Sequence, residues 1–334
     1  MAEPIKRSSV VRSSYMFLIG VLLCVGWFKI QTTFITVLFS YFALSAFAYF
    51  SVKVLKSKNG RLFSISLFII GVCAIFYAFV FFVNEAVTAL PDIASRSIPI
   101  ALDYAKKYNL NLPFNDLEGL KAVAAKAVSQ GMKDVAKFAE LATKEFVFLI
   151  LGLVIAISIF INSKLDLGEG HYSITNNLYS LLCKEISARF YNFYYSFETV
   201  MGAQIIISTI NTILTSIFIL LVNLPYPKIV VPSTFLCGLL PIVGNLISNT
   251  IITCIAVTTS LQMAVLALLY LIVLHKFEYF LNSKIIGGRI KNPMWLTLLS
   301  LIVGERIMGI PGMILAPVIL HYVKHEASQA AAET

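Results

Sequence analysis

The sequence predicts an all-α polytopic membrane protein with about six full spans. Two broken, re-entrant helical hairpins lie near the C-terminal half, and a small helical region lies on the outer face. Three observations carry this. The 334 residues are 58% hydrophobic and 13% charged, whereas a soluble domain carries about 25% charged residues. Apolar runs long enough to cross a bilayer recur between polar, often basic, connections. Two further apolar segments are interrupted. Cys237 to Thr253 is broken by Gly238, Pro241, Gly244, Asn245, Ser248 and Asn249, and Gly304 to Leu320 by Gly309, Pro311, Gly312 and Pro317, with Glu305 and Arg306 inside it. Lipid tolerates irregular backbone only where protein or a wet cavity covers it, so two such segments point to a pathway.

Residues 1–83 hold an N-terminal tail and three spans. Lys6, Arg7 and Arg12 precede the apolar run Tyr15–Phe28. Trp27, Phe28 and Lys29 end that run with no small-residue cleavage site, so it reads as a retained first span, short for a crossing. Ile30–Val52 is the second span and Leu62–Val83 the third. Between them Lys53, Lys56, Lys58 and Arg61 mark a cytoplasmic loop. Residues 84–144 regain charge, and their apolar residues between Gly119 and Leu141 fall at helical spacing, which predicts an extracytoplasmic helical region. Glu145–Ile161 is the fourth span. Residues 162–199 are rich in tyrosine and phenylalanine, the mark of a cytoplasmic helical region along the interface.

Residues 200–323 are the expected transport core. Its parts are the fifth span Val200–Val222, a broken segment 233–258, the span Leu261–Leu281 and a second broken segment 293–323; a polar tail, 324–334, closes the chain. The net charge of +9 is first a topology signal. The N-terminus, 53–61, 162–199 and the basic loop 284–291 should all face inward. The fifth span then leaves and 261–281 returns, which requires 233–258 to dip in and out on the outer side. Eight plain spans would instead put 284–291 outside, against its charge.

Candidate pathway residues follow from cost. An ionisable side chain inside an apolar segment is expensive, so Glu305 is the first candidate for a cation or a proton, with Arg306 beside it. His275 and Glu278 lie one helical turn apart and can titrate together. Asn245, Ser248 and Asn249 offer neutral oxygens, and Ser208, Asn211 and Thr212 share a face of the fifth span. Pro241, Gly244, Gly309, Pro311 and Gly312 shape the breaks. Each has a structural reading too: small polar residues also glue helices together. No phosphate-binding glycine motif is present, and His321 and His325 lack the context of a zinc-protease motif. The five cysteines show no paired spacing. No enzyme chemistry, cofactor or metal is expected. A nucleic-acid partner is not expected either, because clustered Lys and Arg are too few to track phosphates.

Over most of its length, from the two spans close to the N-terminus and the polar outer region to the motif-bearing C-terminal half, the chain resembles the autoinducer-2 exporter family of bacterial permeases. The resemblance rests on Gly238-Leu-Leu-Pro241-Ile-Val-Gly244, on Glu278 ahead of Lys284-Ile-Ile-Gly287, on Asn292-Pro293, and on Gly304-Glu-Arg-Ile-Met-Gly309-Ile-Pro-Gly312-Met-Ile-Leu-Ala316-Pro317. Asn245 and Ser283 stand where the family usually has proline, and Gly202-Ala203-Gln204 replaces its Gly-Gln pair. The resemblance implies a permease of the bacterial inner membrane that exports a signal of the autoinducer-2 type or exchanges Na+ or Li+ for H+. The expected partners are the lipid bilayer, a small solute or Na+/Li+/H+, and further copies of the chain in a homo-oligomer. A channel-like pore and a scaffold without transport are the rival readings.

Overall fold

A computed structural model describes residues 7–53, 60–107, 135–168, 172, 174, 177–241, 243–285 and 293–329. Among them there are helices and no strands. The helices are α1 (Arg7–Trp27), α2 (Gln31–Lys53), α3 (Gly60–Lys107), α4 (Val135–Ile161), α5 (Leu178–Val222), α6 (Pro227–Gly238), α7 (Val243–Thr259), α8 (Leu261–Ile285), α9 (Met294–Met308) and α10 (Ile310–Gln329). Six stretches, on α1 to α5 and α8, are long and apolar enough to cross a membrane. The chain is therefore a multi-pass helical membrane protein, as the sequence predicts.

The first two spans meet at a tight turn. Lys29 takes a left-handed φ of 54°, and the Ile30 N–H reaches back to the Val25 carbonyl at 3.1 Å, closing the end of α1. Two expected boundaries vanish. The third span and the charged stretch after it form one 48-residue helix, and the aromatic stretch is continuous with the fifth span in a 45-residue helix. At 1.5 Å per residue these run about 70 Å, more than twice a hydrocarbon core of about 30 Å. Both run on where polarity changes, α3 through Pro91 and Pro99 and α5 through a stretch rich in tyrosine and phenylalanine, although local helix propensity is weaker there. The amphipathic stretch expected at Gly119–Leu141 lies mostly outside the described residues, as does the basic loop 284–291 beyond Ile285.

The chain divides into two compact units: residues 1–71, 144–202 and 290–334, and residues 72–143 and 203–289. In the first unit α1, α2, the start of α5 and α10 share a core of Leu18, Leu38, Phe193, Phe197, Leu315 and Val318. Phe39 meets Phe197 edge-on with ring centres 5.0 Å apart, and Tyr41 meets Tyr194 at 4.9 Å. Several aromatics expected at the interface are thus core residues, while Tyr191 is exposed. Gly152 of α4 lies against Thr33 and Thr36 of α2, where a Cβ would overlap, and the Thr33 hydroxyl donates to the Phe148 carbonyl at 2.9 Å. Close backbone approach with polar contacts is how helices associate in lipid.

The same unit contains a half-buried polar cluster around the buried Glu326. The Arg189 guanidinium donates to Glu326 and, at 2.7 Å, to the Tyr15 hydroxyl. Tyr15 donates to Glu326 at 2.8 Å and Asn192 donates to it at 2.9 Å. The expected polar tail is therefore helical through Gln329 and docked by Glu326. The second broken segment turns at Gly309, whose φ is +64°. There α9 and α10 fold back on each other, with Gly304 and Gly312 backbone to backbone, leaving no room for a Cβ at either.

In the second unit the end of α5, α6, α7 and α8 enclose a core that includes Ile219, Val230, Ile252, Ile255 and Ala267. The Phe218 and Tyr270 rings stack with centres 4.0 Å apart. The Tyr270 hydroxyl lies 3.1 Å from Thr215. Lys228 of α6 pairs with Glu85 of α3 at 3.0 Å. The first broken segment starts earlier than expected, at Pro227, and breaks after Gly238.

Candidate functional site

The first break is a finished structure. A helix leaves its last four carbonyls without partners, and all four of α6 are met. The Ser208 hydroxyl donates to the Phe235 carbonyl at 2.7 Å. The Leu239 and Leu240 N–H groups reach Leu236 and Cys237 at 3.3 and 2.9 Å. The Gln204 side-chain amide donates to the Gly238 carbonyl at 2.6 Å. Two polar side chains of α5, Gln204 and Ser208, therefore serve the end of α6, and Ser208 is a structural partner of the break. Pro241 turns the chain, and its carbonyl accepts the Val243 N–H at 2.7 Å. Gly244 follows with its α-carbon against the Cys237 carbonyl, where a Cβ would overlap backbone.

This geometry delivers Asn245, the third residue of α7, to Glu278 on α8. The Asn245 amide nitrogen donates to both carboxylate oxygens of Glu278, at 2.6 and 2.7 Å. Glu278 is 8% exposed. Around the pair lies a small cavity of about 10 Å3, close to the space one water requires. Asn211, Thr234, Ser248, Asn249 and His275 supply its polar wall, and Ile252, Leu271 and Leu274 its apolar wall. Asn211 is 4% exposed, and its Oδ1 has no hydrogen-bond partner among the described residues. Ser248 donates to the Asn245 carbonyl at 3.2 Å. Thr212 is satisfied within its own helix, donating to Ser208 at 2.8 Å, and stands outside the cavity lining.

The structure thus brings together Asn211, Asn245, Ser248, Asn249, His275 and Glu278 within one unit. Pro241 and Gly244 shape the turn, and Thr234 joins the wall without having been singled out in the sequence. Glu305, Arg306, Gly309, Pro311 and Gly312 belong to the other unit. Glu305 and Arg306 are exposed on the last turn of α9, with no ion pair among the described residues. Pro311 sits in the first turn of α10, where its missing N–H costs nothing. His321 and His325 stack with ring centres 6.0 Å apart, but no group of three metal-ligating side chains occurs among the described residues.

The sequence alone ranks Glu305 ahead of Glu278, because Glu278 lies near the end of its span. The structure reverses the burial order: Glu278 is buried and held, Glu305 is not. Asn245 and Glu278 are both visible in the sequence, but their pairing is tertiary. The Arg189–Glu326 pair leaves no such signal, since its members are 137 residues apart.

Comparison with known proteins gives a family and a relative. The family described as "AI-2E family transporter" matches residues 15–330. A protein of Bacillus subtilis (strain 168) named "Putative transport protein YdbI" is 34% identical over 122 residues, 36% of this chain. The aligned part spans 35% of that relative's length.

Proposed function

The chain belongs to the AI-2E transporter family, and from that premise we propose that it is a secondary transporter whose ion-binding step occurs at Glu278. The observation that carries this is a carboxylate buried on an apolar span, held by Asn245 of the interrupted segment beside a cavity of about 10 Å3. Intramembrane carboxylates of this kind mark ion and proton paths. Broken helices supply the polar backbone that such sites use. The cavity suits a dehydrated monovalent cation, or a proton with one water, and is too small for a sugar-like signal. This favours Na+ (Li+)/H+ exchange over a site for an autoinducer-2-type solute in this conformation. A channel would need a continuous wet path, whereas this cavity has one polar and one apolar wall.

The proposed setting is the bacterial inner membrane, with a cytoplasmic N-terminus and a homo-oligomeric assembly. In it α6–α7 and α9–α10 are re-entrant hairpins. Residues 84–144 lie outside and 162–199 inside, and the transport core runs from 200 to 323. At 12 and 15 residues, α6 and α9 are each too short to cross alone.

The test is proton flux in proteoliposomes loaded with a pH-sensitive dye and pulsed with Na+, Li+ or K+. Wild type should move protons against Na+ or Li+. Glu278→Gln should lose that flux to background while Glu305→Gln keeps it. Flux carried by Glu278→Gln would sink the proposal. Loss in Glu305→Gln alone would move the ion step to the second break.

A further inference from the structure

The Asn245 amide sits astride the Glu278 carboxylate. Its nitrogen is 2.6 and 2.7 Å from the two oxygens of one carboxylate, the bidentate position from which a carboxylate can also hold a cation. An ionised carboxylate is an acceptor only, and an amide can offer it either donors or an acceptor oxygen. With Glu278 ionised and the cavity empty, the nitrogen must face the carboxylate; the oxygen there would set like partial charges against each other. Once a cation or a proton sits on the carboxylate the preference inverts. Hard cations take oxygen ligands, and a protonated carboxyl needs an acceptor.

The cavity is furnished for the inverted state. Asn211 already holds a buried, unpartnered Oδ1 at its wall. Ser248, Asn249 and Thr234 add oxygens at the same wall. His275 is the other titratable side chain lining it. Removing a cation from such a site ordinarily leaves a bare buried carboxylate, which is costly. An amide that turns to donate softens that cost from within the site.

We propose that Asn245 is a two-state ligand: its amide nitrogen donates to the Glu278 carboxylate in the empty transporter, and its amide oxygen ligates the bound cation or accepts the bound proton. This rests on the ion-binding role of Glu278 and adds a second residue whose orientation reports occupancy. The empty carboxylate would then keep hydrogen-bond donors while no cation or proton occupies it.

Infrared difference spectra of the full-length protein in lipid, exchanging choline for Na+ or Li+ and separately stepping pH, read both groups at once. Asparagine carrying 13C in its side-chain carbonyl isolates the amide band. The expected result is a carboxylate shift accompanied by a downshift of one asparagine carbonyl, both absent in Glu278→Gln. In Asn245→Ala the amide component alone should vanish, and the Na+ concentration for half-maximal carboxylate shift should rise about 10- to 100-fold. A carboxylate shift in wild type with no asparagine component overturns the two-state ligand and leaves Glu278 as the ion site. No cation- or proton-dependent carboxylate change at all overturns both. The presence or absence of the asparagine component in the wild-type spectrum decides the two-state ligand even if a variant fails to fold. Shifts with Na+ but not with pH identify the cation as the occupant; shifts with pH alone identify the proton.

Discussion

Asp166 shows at the residue scale how a polar side chain organises chain that the hydrophobic pattern leaves unspecified. Its carboxylate accepts the Ser180 hydroxyl at 2.6 Å, the Tyr172 hydroxyl at 2.9 Å and the Gly168 N–H at 3.0 Å. It thereby ties the connection after α4 to the first turn of α5. These donors, Ser180 foremost, hold the carboxyl below its ordinary range. A lowered folded pKa means that the anchor contributes above the ordinary carboxylate pKa and is lost only as pH falls through the lower folded value. The same hydrogen bond pushes the Tyr172 phenol up to about 12. Asp166→Asn should return it toward the ordinary value of 10.0, read as the difference in tyrosinate absorbance against Tyr172→Phe over an alkaline titration. An unchanged titration would mean that the bond does not form. Legibility at this scale was uneven. Asn245 and Glu278 were visible as polar residues in costly places, because lipid makes such residues conspicuous. Their partners were not visible, and neither was Arg189 with Glu326, because a partner is chosen by packing across the fold and not by spacing along the chain.

At the scale of elements, glycine and proline carried the information. The breaks after Gly238 and at Gly309 were legible because each residue there has one physical reason to be small or bent. Gly309 holds a φ of +64°, which a side chain resists. Gly244, Gly304 and Gly312 lie where backbones touch. The ends of α3 and α5 were not legible, because the sequence marks where a helix leaves an apolar setting and not where it stops. Asn223 and Tyr226 do mark the end of α5, with φ values of 50° and 60°, and Pro227 then opens α6 in the position where proline is favoured. Gly244 offers the sharpest test of the first break. Its Cβ would meet the Cys237 carbonyl, which is already engaged by Leu240. Gly244→Ala should therefore open the turn, at a cost of about 1–3 kcal/mol from overpacking. It should also lower the thermal midpoint in detergent. Gly20→Ala is the control, since a Cβ there would meet nothing within 4 Å. Equal midpoints for the two variants would mean that the break is looser than its contacts imply.

At the scale of the whole molecule, the depth of the site follows from counting along two helices of one unit. Asn245 precedes Ser260 by 15 residues and Glu278 follows it by 18. At 1.5 Å per residue the pair lies about 22–27 Å from the α7–α8 turn. A hydrocarbon core is about 30 Å thick. The site is therefore close to whichever membrane face lies opposite that turn. If α6–α7 is a re-entrant hairpin, the turn is outside and Glu278 opens toward the cytoplasm. If α6 and α7 together make one crossing, the turn is inside and the site faces out. The basic loop 284–291 favours the first arrangement, since positive charge stays in the cytoplasm. Gln262 is exposed just past the turn and can decide the matter. In a chain with the five cysteines replaced by serine, Gln262→Cys should react in intact cells with a membrane-impermeant maleimide. A cysteine at Lys58 should react only after the membrane is opened. If Gln262→Cys is protected until lysis, the hairpin arrangement fails. An ion that binds Glu278, as proposed, would then be loaded from outside.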